Sequence, residues 1–181
     1  PLPLSVKDFF KSFVTRRQKK VANTRNSLEI VRTKLYEECG ILFLQDAPSN
    51  EYTLQVTIID NAMRKYAVDA SKTAYAIQKR AKLVFPTLSH LLKHGEVNRL
   101  QQAIESLIAL LYRRCSLGIA DLDPDIHKNA GFIDTKAIFI DIGSFQDNPK
   151  MKQPDSYQFD IEKSLKPLSK WVEDHTPDLV P

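Results

Sequence analysis

Three aspartates at alternating positions follow the longest apolar helical pattern of the chain. Asp121, Asp123 and Asp125 belong to the stretch GIADLDPDIHKN, and Asn129 closes that stretch. Carboxylate and amide oxygens are the ligands that hard divalent cations prefer. Asp and Asn also form turns and cap helices without any metal. Two interpretations are therefore open, a metal–phosphate site and an acidic surface turn.

The alternating aspartates are similar in spacing to a calcium-binding loop, but the rest of that loop does not fit. An EF-hand loop has Gly at its sixth position and a bidentate Glu at its twelfth. Counted from Asp121, those two positions are Ile126 and Phe132. The sequence therefore predicts that this loop is not an EF-hand.

Other metal and nucleophile chemistries lack their residues. The four His residues are scattered, and we expect no zinc site from them. The nucleophile elbow GxSxG of a hydrolase is absent. Cys39 and Cys115 lie in apolar contexts without CxxC spacing, which predicts two buried and reduced thiols.

One further carboxylate follows an apolar run. Asp141 comes directly after AIFI and is followed by Ile142 and Gly143. The run is typical of a strand that is buried on both faces, where an unpaired carboxylate is costly. We therefore expect Asp141 to have a functional reason for its position.

The elements that precede the acidic loop predict a small sheet and one helix. LSVK is a candidate edge strand, and a helix is predicted from Asn26, as N-cap, to Cys39, with Gly40 ending it. ILFLQ predicts a buried strand, and TLQVTIID and KYAVDA predict two more, the first of them half-buried.

The elements around and after the acidic loop are mainly helical. A helical stripe is predicted from Ser71 to Val84, with a break or kink at Pro86. The pattern from Val97 to Gly118 predicts a central core helix. GFI and AIFI predict a hairpin, SFQDNPKMKQPDS predicts an exposed loop, and a last helix is kinked or restarted by Pro167.

Length and pattern together predict one α+β domain over residues 1–181, helix-rich and with a small antiparallel sheet. Residues 1–68 form a lobe of small sheet plus helix. Residues 69–181 form a mainly helical lobe that carries the acidic loop and the hairpin. No apolar run is long enough for a transmembrane segment.

The order of elements resembles the catalytic half of the protein-kinase-like fold, including its RIO-type and small-molecule kinase branches. A long helix stops at LGI, and an acidic loop, Asn129, a short hairpin and Asp141-Ile142-Gly143 follow. The resemblance implies that Asp123 is the catalytic base, with Asp121 and Asp125 as competitors. It also implies that Asn129 and Asp141 hold magnesium on ATP.

The resemblance extends to the first lobe and has clear departures. It implies that Lys7 contacts ATP and that Glu29 pairs with Lys7. No Gly-rich loop precedes Lys7, and Asp121-Leu122 stands in place of the His-Arg pair of the family. The interval from Asp123 to Asn129 is one residue longer than usual, and few residues follow Asp141. A minimal or degenerate protein-kinase-like fold is the expectation.

As a whole, the chain is also similar to a family of uncharacterised proteins from chlamydia-like bacteria. The similarity runs through YEECGILFLQ, VTIID, AIQKRAKLVFPTL, GIADLDPDIHKNAGFI, AIFIDIGSF and WVEDHTPDLV. It covers most of the sequence and implies a bacterial origin, but it brings no activity with it.

The expected function is that of a kinase-like protein that binds ATP and magnesium, with phosphotransfer to an unknown substrate. The alternative is a non-catalytic, pseudokinase-like module that binds a protein partner. The net charge of +4 and the segment TRRQKK permit a third interpretation, binding of nucleic acid or an acidic membrane. Without interleaved aromatic residues, a solvated helix face is favoured and no nucleic-acid partner is expected. The predicted location is the cytoplasm, with secretion into a host cell as an alternative.

Overall fold

A computed structural model describes residues 21–175 of the chain. It confirms the mixed α+β class with small antiparallel sheets, since 50% of the described residues are helical and 23% are in strands. The predicted strand LSVK, the segment TRRQKK and Lys7 lie outside the described residues. The helices are α1 (residues 21–34), α2 (Val84–Lys93), α3 (Val97–Ser116), α4 (Ile126–Asn129) and α5 (Pro154–His175).

Nine short strands alternate with these helices in the described part of the chain. They are β1 (Ile41–Gln45), β2 (Gln55–Ile59), β3 (Lys65–Asp69), β4 (Tyr75–Gln78), β5 (Lys82–Leu83), β6 (Ile119–Asp121), β7 (Ala130–Ile133), β8 (Lys136–Phe139) and β9 (Phe145–Asp147). Their antiparallel pairs are β1 with β4, β2 with β3, β6 with β9, and the row β5–β7–β8.

Helix α1 packs one apolar face onto the core, as its sequence predicts. Val31 and Leu35 are fully buried. The predicted N-cap at Asn26 is wrong, because residue 21 is already helical and Asn26 lies inside α1. The helical residues end at 34, and the following turn closes at Gly40, whose φ of 58° favours glycine.

Residues 71–84 do not form the predicted helix. Residues 75–78 form β4, which pairs with β1 from Tyr75 opposite Gln45 to Gln78 opposite Ile41. Pairing with a distant strand therefore overrides the helical spacing of the apolar residues. Helix α2 begins only at Val84 and keeps Pro86 in its first turn, where a backbone N–H has no helical acceptor.

Strands β1, β2 and β3 are confirmed, but two of them are less buried than predicted. Only the two ends of β1 are buried, while Leu42 and Phe43 are exposed. Among residues 21–175, strands β2 and β3 pair only with each other, and Ile58 is 50% exposed. The hairpin β2–β3 therefore presents apolar side chains to solvent.

Helix α3 is the confirmed central helix, and it lies against α2, β8 and α5. Its buried apolar residues join those of the other elements in one core, including Leu88, Phe132, Phe139, Phe145 and Trp171. The exposed loop predicted after Ser144 is wrong, because β9 pairs with β6 and Met151 is buried. Helix α5 continues through Pro167 without interruption.

Gly131 is the point at which β5 and β7 approach most closely. A Cβ atom at this position would lie 2.5 Å from the backbone oxygen of Lys82 and 2.9 Å from Cδ1 of Ile140. Backbone atoms cannot yield as the end of a flexible side chain can. Glycine at this position therefore permits the pairing of Leu83 with Gly131.

We expect Gly131→Ala to destabilise the protein by about 1–3 kcal/mol, because the added methyl group forces β5 away from β7. Urea denaturation followed by circular dichroism measures the difference. A variant with the wild-type unfolding free energy would contradict the close approach of the two strands.

Candidate functional site

The acidic loop between β6 and β7 is held by its own side chains. The Asp125 carboxylate accepts a hydrogen bond from the His127 backbone N–H at 3.0 Å and so caps α4. Asn129 is 7% exposed, and its Nδ2 donates to the backbone oxygen of Asp123 at 2.7 Å. The Asn129 amide therefore fixes the backbone of the predicted base, while the Asp123 side chain remains exposed.

Asn129 also lies beside the segment that carries Asp141. The backbone N–H of Ile140 donates to the Asn129 backbone oxygen at 2.8 Å, which extends the β7–β8 pairing by one step. Asp141 is the next residue along the chain. Two direct hydrogen bonds thus link Asn129 to the Asp123 backbone and to Ile140, the residue before Asp141, at one end of the hairpin.

The expectation that Asp141 is enclosed by a buried strand is wrong. Strand β8 ends at Phe139, and Asp141 is exposed. Its Oδ1 accepts a hydrogen bond from the Gly143 backbone N–H at 2.8 Å, which forms a tight turn. Because Asp141 is exposed, its carboxylate has no large desolvation cost that would call for a functional reason. The same exposure leaves its second carboxylate oxygen accessible from solvent.

A fully buried arginine lies next to this site and pairs with carboxylates from two other elements. Arg114 of α3 is 0% exposed; its Nη1 lies 3.4 Å from Oδ2 of Asp121, and its Nη2 bonds Asp160 of α5. Asp121 in turn accepts hydrogen bonds at Oδ1 from the Asp123 backbone N–H at 2.9 Å and from the Ser144 hydroxyl at 2.6 Å. One carboxylate therefore ties the acidic loop to the segment after Asp141.

Helix α1 is fixed to the same segment through Ser27, which is fully buried. The Ser27 hydroxyl donates to the backbone oxygen of Ile142 at 2.6 Å and accepts from the backbone N–H of Phe145 at 2.8 Å. Lys34, two turns further along α1, pairs with Asp147 at 2.5 Å. The position of α1 therefore sets the position of the turn after Asp141.

Sequence reasoning missed four residues that surround the site: Ser27, Arg114, Lys128 and Ser144. Lys128 places its Nζ 3.9 Å from Oδ2 of Asp123 and 3.5 Å from Oδ2 of Asp125. Arg114 carried one signal, since a charged residue stood among the apolar positions at the end of α3. The serines carried none, because their partners are more than 20 residues away in the chain.

Glu29 is not brought to this site by its contacts among the described residues. It is exposed and pairs with Arg32 on the same helix, and Arg32 also lies 3.4 Å from Asp46. Glu29 is two positions from Ser27, which places it on the far side of α1. Lys7, the predicted partner of Glu29, lies outside residues 21–175.

Metal ligation by histidine or cysteine finds little support in residues 21–175. His90 and His94 lie one helical turn apart, a spacing that sequence inspection overlooked, with ring centroids separated by 4.2 Å. No group of three or more His, Cys, Asp or Glu side chains in these residues is arranged to hold a metal ion. Cys39 and Cys115 are buried as predicted, and burial raises the pKa of both thiols.

Comparison of the chain with protein-family models, with curated protein sequences and with solved structures finds no match. Within the described range, no helix has the length and apolar character needed to cross a bilayer. Function is therefore inferred from the geometry of the site itself.

We expect Arg114→Met to lower the unfolding free energy by about 3–5 kcal/mol, because it leaves the Asp121 and Asp160 carboxylates without their buried counter-charge. The matched control is Arg113→Met, which removes an exposed pair with Glu38 and should cost at most about 1 kcal/mol. Equal losses in the two variants, measured by urea denaturation, would show that the buried arginine has no special role.

The Asp125 cap predicts a pH-dependent contribution to stability. The His127 backbone N–H lowers the pKa of the Asp125 carboxyl below its ordinary value of 3.8. Because the folded-state pKa is depressed, the contribution is complete at neutral pH and is lost as the pH falls through the folded value. We expect Asp125→Ala to cost about 0.5–2 kcal/mol at pH 7, and the difference from wild type to shrink below pH 3.8. An unchanged difference at acid pH would contradict the role of the charge.

Proposed function

We propose that the chain is a kinase-like protein that binds ATP with magnesium at the end of the β7–β8 hairpin. One observation carries the proposal: Asn129 is bonded both to the Asp123 backbone and to the segment that delivers Asp141. The acidic loop and the segment that delivers Asp141 are therefore joined through one residue. An acidic surface turn requires no such link.

The order and pairing of elements support a minimal or degenerate protein-kinase-like fold as part of this proposal. Helix α1 and the β1–β4 pair precede a linker of residues 79–81, and β5 and α2 follow that linker. The acidic loop is framed by the β6–β9 and β7–β8 pairs, an arrangement that places it at the junction with α1. The part of this order that the resemblance implies is α3, the acidic loop with Asn129, the β7–β8 hairpin and then Asp141.

The donor set of this site fits magnesium. Asn129 uses its Nδ2 on Asp123, which leaves its amide oxygen for a cation, and Asp141 offers an exposed carboxylate. Magnesium in nucleotide sites is held by one or two carboxylates together with phosphate oxygens and water. A full cage of protein ligands is therefore not required, and when bound the ion supplies positive charge to the phosphates.

Asp123 is the proposed acceptor of the proton from a substrate hydroxyl group. Its carboxylate is exposed at the loop surface, while its backbone is held by Asp121 on one side and Asn129 on the other. Lys128 adds a positive charge 3.9 Å from that carboxylate. We assign Lys128 to the transferred phosphoryl group, because an ammonium group stabilises the charge of its oxygens.

The second candidate function is a non-catalytic module that binds a protein partner. The exposed apolar side chains of the hairpin β2–β3 favour it. Ile58 and Ile59 lie on a two-stranded sheet that no other strand joins within the described residues, and Met63 lies in its turn. In this alternative the convergence of Asp123, Asn129 and Asp141 is inherited and the acidic loop is scaffold.

We expect magnesium and ATP together to raise the melting temperature of the protein. A ligand that binds only the folded state stabilises it, and at ten times its dissociation constant the shift is about 3–6 °C. The rise should be absent with EDTA and lost in Asp141→Asn, because the amide removes the charge that binds the cation. Differential scanning fluorimetry measures each shift.

The matched control is Asp155→Asn, which removes an exposed carboxylate in the first turn of α5 and should retain the full shift. No shift at millimolar ATP would contradict nucleotide binding and favour the interaction module. A shift that survives in Asp141→Asn would place the nucleotide elsewhere on the protein.

A further inference from the structure

A second cleft lies at the opposite end of the β7–β8 hairpin from the acidic loop. It has a volume of about 460 Å³ and is enclosed by β5, α2, the start of α3 and the β7–β8 turn. Asn129 precedes β7 and Asp134 follows it, so a strand rise of about 3.3 Å per residue separates the two ends by roughly 16 Å. The cleft is therefore distinct from the site assigned to ATP.

The rim of this cleft carries more positive than negative charge. Its cations are Arg80, Lys82 and Arg99, and Asp134 is the one acidic residue among those that line it. Arg99 is already paired, with Glu96 and with Asp134. Arg80 and Lys82 are exposed and form no ion pair or hydrogen bond through their side chains in residues 21–175. Two cations are thus available to a ligand.

The floor of the cleft is apolar. Phe132 is 1% exposed, Leu91 is also buried, and Pro86 completes the wall on the side of α2. A cleft of several hundred cubic ångströms with an apolar floor and a few polar groups at its edge has the composition of a binding site. Lysines on a flat, solvated helix face would supply the positive charge but no apolar floor beneath it.

We propose that this cleft binds an acidic peptide segment of a protein partner, with apolar side chains on the floor and carboxylates on Arg80 and Lys82. The two cations are two residues apart in the chain, and both line the cleft. Carboxylates at positions two apart on an extended peptide have a separation of about 7 Å, which suits two such cations. The complementary charges supply specificity, and the apolar floor supplies burial.

A peptide fits this cleft better than a nucleic acid does. Nucleic-acid surfaces have many cations in a stripe, often with aromatic side chains open to stacking. Among the described residues that line this cleft, Arg80 and Lys82 are the two unpaired cations and Phe132 is buried, so there is neither a stripe of cations nor an open ring for stacking. The proposal does not rest on nucleotide binding, because a partner segment could dock on a kinase or on an interaction module.

The test is fluorescence anisotropy with a fluorescein-labelled peptide of sequence Gly-Glu-Leu-Glu-Phe-Glu-Leu-Gly. The cleft variant is Arg80→Glu with Lys82→Glu, and a second variant, Arg80→Gln with Lys82→Gln, removes the charge without reversal. The matched control is Lys163→Glu with Lys166→Glu, which makes the same change in net charge at two exposed lysines of α5. Asp141→Asn is included to separate this site from the nucleotide site.

We expect saturable binding by the wild type and by Asp141→Asn, with the dissociation constant raised at least about tenfold in the cleft reversal and about two- to threefold or more in the neutral variant. The Lys163/Lys166 control should stay within about twofold of wild type. Replacing every Glu of the peptide by Lys should abolish binding.

Two results would overturn the proposal. One is the absence of saturable binding below about 1 mM peptide, and the other is equal weakening in the cleft reversal and the α5 control, which would reduce the effect to net charge. Cosedimentation with phosphatidylserine vesicles provides a further test. Vesicle binding that depends on Arg80 and Lys82, without peptide binding, would assign the cleft to a membrane surface instead.

Discussion

The buried guanidinium of Arg114 is the interaction on which the candidate site depends. It lies among apolar side chains at the end of α3, where an isolated charge would be very costly. Asp160 of α5 and Asp121 of β6 offset that cost from two directions. Asp121 faces Arg114 with Oδ2, and its other oxygen accepts hydrogen bonds from the Asp123 backbone and the Ser144 hydroxyl. A pairing required by the core thereby sets the geometry of the surface loop.

The frame around this pair is rigid, whereas the groups assigned to chemistry are exposed. Ser27 joins α1 to the Asp141 turn, and Gly131 lets β5 lie close against β7. Asp123 and Asp141 project from this frame into solvent. Such a division is suited to a binding site, since the supporting residues fix the geometry while the exposed groups can meet a ligand. The residues that stabilise the fold here differ from those proposed to meet a ligand. Substitutions can therefore change stability and binding separately.

The β7–β8 hairpin carries opposite charges at its two ends. Acidic groups gather around Asn129 and Ile140, and the cleft beside the β7–β8 turn has unpaired cations at Arg80 and Lys82. A partner segment held at the basic end would lie roughly 16 Å from the acidic end, which is about five extended residues. In the two proposals this hairpin would serve as one scaffold, for the nucleotide at one end and for the partner segment at the other.

The sequence by itself determined the α+β class, the long core helix α3, the β7–β8 hairpin and the burial of both cysteines, because each depends on local periodicity or on the run of apolar residues around it. The resemblance to the protein-kinase-like fold, rather than any local pattern, singled out Asp123, Asn129 and Asp141 as a group. Only the tertiary structure decided that residues 75–78 form a strand, that Phe145 and Met151 are buried, and that Asp141 is exposed. These outcomes depend on partners far away in the chain, such as β1 for β4 and β6 for β9. Local pattern contains no information on those partners, and the pairing energy of a distant strand exceeds the small differences in propensity that a pattern reports.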